Sequence, residues 1–248
     1  MSGWDQFGDA YDHPHFDGRP SCYLIASTPR SGSHYLGHLM CGTGVLGSPL
    51  EYFHPKHLEK WKAKFGATEF EEVLSGLFMV RTSPSGWFGV KAHWSQFEPI
   101  AKNPAQLSSL GCSKYIRIFR NDTLAQAISL VIARKTSAWI SFHQVRKQPK
   151  YDFQAIQIAL AEIEAENGKW EAFFQERGVD PLIVEYENLC KKPADVVNNI
   201  MSYFNLDAES NKVSPTPRPE RQSTPLNFEW KQRYLEDVSI GSKRRRWL

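Results

Sequence analysis

Short apolar runs alternate with longer amphipathic stretches along the chain, the pattern of a parallel sheet whose faces are covered by helices. Cys22–Ser27 (CYLIAS) is an apolar run that meets TPRSGS at once, which predicts a strand ending in a Pro/Gly loop. His34–Met40 then predicts a helix that stops near the glycines at 42, 44 and 47. Trp87–His93 (WFGVKAH), Lys114–Phe119 (KYIRIF) and Leu182–Tyr186 (LIVEY) predict three more strands. Between the first helix and the second strand, residues 48–80 mix aromatics, prolines and charges. They predict a loop and then a helix over Thr68–Leu77.

Asn121 or Asp122 can cap a helix that runs to about Lys135 and buries Leu124, Ile128, Val131 and Ile132. From Asp152 to Arg177, the positions Phe153, Ile156, Leu160, Ile163, Trp170 and Phe174 form one helical stripe, and Gly178 supplies the stop. Pro193 opens a helix with the seam Val196, Val197, Ile200 and Phe204. A Pro-rich stretch, SPTPRPERQSTP, leads to a short terminal helix near Asn227–Leu235.

A length of 248 residues fits one three-layer α/β domain over residues 21–240, with an extension over 1–20 expected to be flexible and a basic tail over 241–248. With 41% hydrophobic and 23% charged residues the composition excludes a disordered or collagen-like chain. Net charge is only +3, and the run Lys243, Arg244, Arg245, Arg246 reads as a solvated tail rather than a nucleic-acid site. The first 20 residues lack a basic start followed by an apolar stretch, and no apolar run approaches the roughly 20 residues that cross a bilayer. Cys22, Cys41, Cys112 and Cys190 lie far apart without a Cys-x-x-Cys pair, which reads as reduced thiols in a cytoplasmic protein.

The candidate chemistry starts at the first loop. A strand running into TPRSGSHYL places a Gly-containing loop at a helix N-terminus, where backbone amides and the helix dipole attract an anion such as a phosphate. G-x-x-x-x-G-K-[ST] is absent, and the basic residue, Arg30, precedes Gly32 instead of following it. Without the loop lysine and a Mg²⁺-holding arrangement, a nucleotide kinase is the weaker reading.

Pro29, Arg30, Ser31, Gly32 and Ser33 match the P-[KR]-S-G-[ST] phosphosulfate loop of sulfotransferases, and Glu51-Tyr52-Phe53 follows about twenty residues on. In these features the chain resembles the bacterial trehalose 2-sulfotransferase family from about Cys22 to Tyr234. The resemblance implies 3′-phosphoadenosine-5′-phosphosulfate (PAPS) as donor, its desulfated bisphosphate (PAP) as product, and no metal. It implies a carbohydrate acceptor, a trehalose-like disaccharide, glucoside or glycolipid, and a homodimer. Arg30, Ser31, Gly32 and Ser33 would then hold the phosphosulfate, and His34, directly after the loop, can meet donor or acceptor.

In KYIRIFRNDTLAQAISL, Arg120 and Ser129 match the family's pair for the 3′-phosphate, an arginine fork being suited to phosphate oxygens. Nine positions separate them where eight is usual, and Asn121 stands eight before Ser129. In RPERQSTPLNFEWKQRY, Arg221 and Gln222 match the family's segment that closes over the nucleotide. The bland alternatives are a plain strand-to-helix turn, a solvent-facing arginine and a polar linker.

Sulfuryl transfer to a hydroxyl needs charge stabilisation at the leaving phosphate and a base for the acceptor proton. The resemblance assigns the base to Glu51. His93 is the substrate contact or alternate base, because Lys91 and His93 match the K-T-H motif of animal cytosolic sulfotransferases, where the lysine faces the bridging or sulfuryl oxygens. An imidazole starts near ~6.5, whereas a glutamate starts near ~4.3. Tyr52, Phe53, His54, Trp61, Trp94 and Trp139 can stack on a sugar or fill the core. A carbohydrate- or nucleotide-binding module without transfer activity is the non-enzymatic alternative.

Overall fold

The computed structural model describes residues 5–139, 149–206 and 225–245, with side chains through residue 240. The described residues fall into two compact units, one within Met1–Asn121 and Glu166–Arg218 and the other within Asp122–Ala165 and Pro219–Leu248.

In the first unit, β1 (Ser21–Ser27) is the strand expected from CYLIAS, and it is buried everywhere after Ser21. It has no solvent face because it lies inside a parallel sheet covered on both sides. The order is β2-β1-β3-β4, with β2 (Trp87–His93), β3 (Cys112–Phe119) and β4 (Leu182–Glu185), and each pairing is parallel. All four strands therefore end on one edge, where ligands of open α/β sheets bind.

Alternate residues of β1 serve opposite cores. Tyr23 and Ile25 pack with Ile116, Ile118, Leu36 and Met40 of α1 (Ser33–Cys41), and Val197 and Ile200 of α9 (Pro193–Tyr203). Leu24 and Ala26 pack with Phe88, with Leu74 and Leu77 of α3 (Phe70–Arg81), and with Trp170, Phe173 and Phe174 of α7 (Phe153–Arg177). Each of the Leu, Ile, Val, Met and Phe side chains stabilises the fold by about 1.5–3 kcal/mol when fully buried. Helices on both faces of the sheet give the three-layer α/β class expected from the alternating pattern.

The second unit packs α6 (Thr123–Thr136), the start of α7 and α10 (Pro225–Arg245) around Ile128, Val131, Ile156, Ile163 and Trp230. Asp122 caps α6, its side chain accepting from Ala125 N at 3.0 Å, and it pairs with Lys231 at 2.6 Å. The α10 helix runs well beyond the expected Asn227–Leu235.

The helix expected over Thr68–Leu77 is α3, but the loop expected before it contains a further helix. Here α2 (Pro55–Phe65) starts on the N-cap His54 and stops at Gly66, which has a left-handed φ of 64°. Proline is tolerated at the first helical position because its missing N–H has no intrahelical partner there. The same chemistry builds α5 (Pro104–Leu110) behind its cap Asn103. Two more helices without a long apolar stripe, α4 (Trp94–Ala101) and α8 (Tyr186–Lys191), begin directly after β2 and β4.

The N-terminal extension, expected to be flexible, is docked on the first unit over its described part. His13 N donates to Val80 O at 2.8 Å, Phe16 N to Met79 O at 3.0 Å, and Ser48 Oγ to Tyr11 O at 2.7 Å. Arg81 is fully buried, with Nε 2.9 Å from Asp12 Oδ1 and Nη2 donating to Gly8 O at 3.2 Å. A buried guanidinium needs a counter-charge and acceptors, and the extension supplies the Asp12 carboxylate and the Gly8 carbonyl, although Nε and Nη1 make no hydrogen bond among the described residues.

Candidate active site

The loop after β1 turns sharply. Ser31 N donates to Thr28 O at 3.2 Å, and Leu36 N to Gly32 O at 3.0 Å as α1 begins. Arg30 and Gly32 both adopt left-handed backbone, with φ of 65° and 90°. For Arg30 that conformation is uncommon and costs about 1 kcal/mol or more. At Gly32 even a methyl group is excluded, since a Cβ would lie 2.3 Å from Cδ2 of Tyr186. The Ser31 amide, expected to face the phosphosulfate, is thus engaged within the turn. Its side chain is fully buried, and the Oγ has no hydrogen-bond partner among the described residues.

Arg120 follows β3 and Tyr186 follows β4 as register neighbours, since Phe119 pairs with Glu185. The Arg120 guanidinium lies 4.8 Å over the Tyr186 ring, and its buried Nε has no hydrogen-bond partner among the described residues. Burial, and next the nearby positive charge of Arg120, lowers Arg30 to about 10. Two guanidiniums held near one another beside an unpartnered buried hydroxyl form a site with donors and charge for a polyanion. Ser129 lies half-buried on α6 in the second unit, and Arg221 and Gln222 lie outside the described residues.

Beyond β2, Leu50 bridges Val90, and Lys91 N donates to Leu50 O at 3.0 Å. This one-residue extension of the sheet places Glu51 beside the ends of β1 and β2. Lys91 Nζ pairs with Glu51 Oε1, His93 Nε2 lies 3.6 Å from the same oxygen, and Gln96 Nε2 donates to Oε2 at 3.1 Å. Lys91 is buried to 2% exposure. Burial alone would raise the Glu51 carboxyl, but Lys91, His93 and Gln96 overcome it and hold the group well below the usual carboxylate range.

His93 is itself lowered to about 4, by burial first, with Glu51 opposing and Lys91 reinforcing. On α1, His34 is lowered to about 3 by burial, Lys91 and His38, against a raising effect of Glu51. His38, lowered to about 4 by burial and Lys91, meets His34 with Nε2 to Nε2 at 3.1 Å. Gly37 keeps this helix close to the site, because a Cβ there would lie 2.8 Å from Pro49 O. The imidazoles are therefore neutral at pH 7 and the cationic character rests on Arg30, Lys91 and Arg120.

The structure thus brings Glu51, Lys91, His93 and His34 together, and Arg30 with Arg120. Of the aromatic candidates, Tyr52, Phe53, Trp61 and Trp94 are core residues, whereas His54 is half-buried and Trp139 is 44% exposed. Sequence reasoning missed Ser27, His38, Gln96 and Tyr186. His38 and Gln96 carried readable spacings, four residues after His34 and three after His93. Tyr186 carried none, because only the sheet order sets it against the loop. Among the described residues no group of three or more His, Cys, Asp or Glu side chains could hold a metal ion. No helix among them is long and apolar enough to cross a membrane.

A loop with basic residues at the carboxyl edge of a parallel sheet, beside a carboxylate–lysine pair, is an arrangement that an α/β group-transferring enzyme would use. The chain belongs to the Stf0 sulphotransferase family, whose model matches residues 22–237, and it is accordingly a sulfotransferase. It is similar to trehalose 2-sulfotransferase of Mycobacterium tuberculosis (strain ATCC 35801 / TMC 107 / Erdman), with 30% identity covering 87% of this chain and 95% of that protein. Trehalose 2-sulfotransferase of Mycolicibacterium smegmatis (strain ATCC 700084 / mc(2)155) is 27% identical, covering 88% and 96%. Among solved structures, a sulfotransferase domain from the curacin biosynthetic pathway aligns with a TM-score of 0.49 at 16% identity, over 85% of this chain and 83% of that one.

Proposed function

We propose that the enzyme moves a sulfuryl group from PAPS to a hydroxyl of a carbohydrate, such as a trehalose-like disaccharide, a glucoside or a glycolipid. The observation that carries this reading is the Arg120 guanidinium 4.8 Å over the Tyr186 ring, against which Gly32 of the loop is packed, with the neighbouring Ser31 Oγ buried and without a hydrogen-bond partner among the described residues. PAPS supplies the activated sulfuryl group when bound. Arg30 and the first turn of α1 from Ser33 would take the 5′ end, with Ser31 Oγ and Gly32 close beside it, and Arg120 the 3′-phosphate. By family resemblance Ser129, Arg221 and Gln222 complete the hold on the nucleotide, and residues 21–240 act as one functional domain.

Lys91 faces the transferring group and stabilises charge at the leaving phosphate oxygen. Glu51 receives the acceptor proton, with His93 and His34 lining the same space. A carboxylate clamped by Lys91 is a weak base, so engagement of Lys91 by the donor strengthens Glu51 when it is needed. Resemblance further implies a homodimer. The thiols of Cys22, Cys41, Cys112 and Cys190, all free, accord with a cytoplasmic enzyme.

The test is calorimetric titration with PAP, followed by mass spectrometry of a saccharide and glycolipid panel incubated with PAPS. PAP is expected to bind wild-type enzyme and to lose at least tenfold affinity in Arg30→Ala and in Arg120→Ala. Unchanged affinity in both variants would overturn the donor site, and binding without sulfated product from any acceptor would overturn the transfer.

A further inference from the structure

We propose that the N-terminal segment, through Gln6 and the Tyr11 carbonyl, clamps the chain on both sides of Glu51, and that Gln6 is thereby a positioning residue for the group that receives the acceptor proton. The clamp is read from contacts alone, while its part in turnover rests on the function proposed above.

Glu51 lies between two contacts with that segment. Before it in the chain, the buried Ser48 donates from Oγ to Tyr11 O at 2.7 Å. After it, His57 Nδ1 lies 2.8 Å from Glu51 O and 2.7 Å from the Gln6 carboxamide nitrogen. The Glu51 carbonyl and the Gln6 carboxamide thus meet on one imidazole nitrogen. A ring released by Gln6 is also free to move away from Glu51 O, whichever group shares its proton.

One face of α2 seats the segment. His57, Trp61 and Lys64 follow one another at spacings of four and three, which places them on a single side of the helix. The Phe7 ring meets His57 at 5.5 Å and Trp61 at 5.1 Å between centroids, and Lys64 Nζ donates to Phe7 O at 2.8 Å. Gln6 itself is 3% exposed, so its carboxamide depends on a protein partner. The segment precedes residue 22, where the family match begins, so the clamp comes from outside the matched stretch.

Glu51 needs such support because no element of its own fixes it. It stands after the Leu50–Val90 bridge and before α2 opens at Pro55, in neither strand nor helix. Lys91 and Gln96 orient its carboxylate only while its backbone keeps its place. A shift of about 1 Å at a reacting group costs on the order of 10²-fold in rate, so a remote clamp can act on turnover without touching the reacting atoms.

Gln6→Leu removes the carboxamide at similar volume. In ligand-free protein, hydrogen–deuterium exchange over residues 48–57 is expected to rise severalfold above wild type, and Ser48→Ala should raise it from the other end. With a sugar that wild-type enzyme sulfates, kcat of Gln6→Leu should fall on the order of 10–100-fold, while acceptor KM and PAP affinity stay within about twofold. His57→Phe should lower kcat to a like extent, and adding Gln6→Leu to it should cost little more. Unaltered exchange over residues 48–57 would overturn the proposal. So would a Gln6→Leu protein that melts earlier yet keeps its kcat per folded molecule, since that is the mark of a purely structural residue. Near-normal turnover in Glu51→Gln would strike the base assignment alone, because exchange is read without any substrate.

Discussion

Lys91 and Glu51 form an ion pair at the carboxyl edge of the sheet, with the lysine almost completely buried and the carboxylate one-quarter exposed at 24%. Burying the ammonium is unfavourable unless a charge meets it, so each group is the condition for the other's place in the fold. The carboxylate in turn is what Gln96 and His93 are arranged around.

Loss of Lys91 should therefore destabilise as well as inactivate. Lys91→Met is expected to lower stability by about 2–4 kcal/mol at pH 7, discounted from a fully buried pair because Glu51 reaches water. Glu51 has a depressed folded value, so its contribution is present above its unfolded value near ~4.3 and is lost as pH falls below that. Urea titrations at pH 7 and at pH 3.5 should show the variant's deficit shrinking on the acid side. An equal deficit at both pH values would contradict the pairing.

Acid should weaken the enzyme already in the range where imidazoles titrate. His34 and His93, held near 3 and 4 in the fold, bind protons more readily when unfolded, so their contribution is full above about 6.5 and is lost as pH falls toward 4. Melting temperature should drop between pH 7 and pH 4.5, and His34→Gln should flatten that slope. A flat wild-type profile over this range would show that the imidazoles are not buried neutral.

Glu51→Gln removes the proton acceptor while keeping the shape and the Gln96 contact. Turnover should fall by about 10²–10⁴-fold with PAP affinity little changed, as measured by single-turnover kinetics with a sugar that wild-type enzyme sulfates. Near-normal turnover in this variant, with collapse in His93→Ala, would move the base to His93.

Gly32→Ala places a Cβ against the Tyr186 ring and forces alanine into φ of 90°. PAP affinity should fall on the order of 10–100-fold, and adding Tyr186→Ala should recover only part of it, because the backbone strain remains. Calorimetry on the single and double variants measures the recovered share.

Arg81→Met should release the N-terminal segment, since Asp12 and the Gly8 carbonyl lose the group that holds them. Limited proteolysis is expected to cleave within residues 5–20 several times faster than in wild type, with thermal unfolding earlier by several degrees. Unchanged cleavage would mean that the hydrogen bonds from His13 and Phe16 hold the segment by themselves.

The strands and the loop were legible in the chain because their signals are local. CYLIAS and WFGVKAH are apolar runs long enough to fill a buried strand, TPRSGS names its own turn, and the stripe of α7 repeats over six positions. The helices over 55–65 and 104–110 were hidden by prolines that start a helix as readily as they break one. What the tertiary structure alone decided was which of the chemically able residues meet. Glu51 and Lys91 are forty residues apart, and no periodicity joins them; the Leu50–Val90 bridge does. Ser27 reads as the last residue of a strand until the register with β2 sets it against His93, and Tyr186 reads as a strand end until the β1-β3-β4 order turns it toward Gly32. Sequence determines which side chains are available and what local shape carries them. Pairing between distant strands is what converts that inventory into a site, because hydrogen bonds and ion pairs act only over a few ångströms.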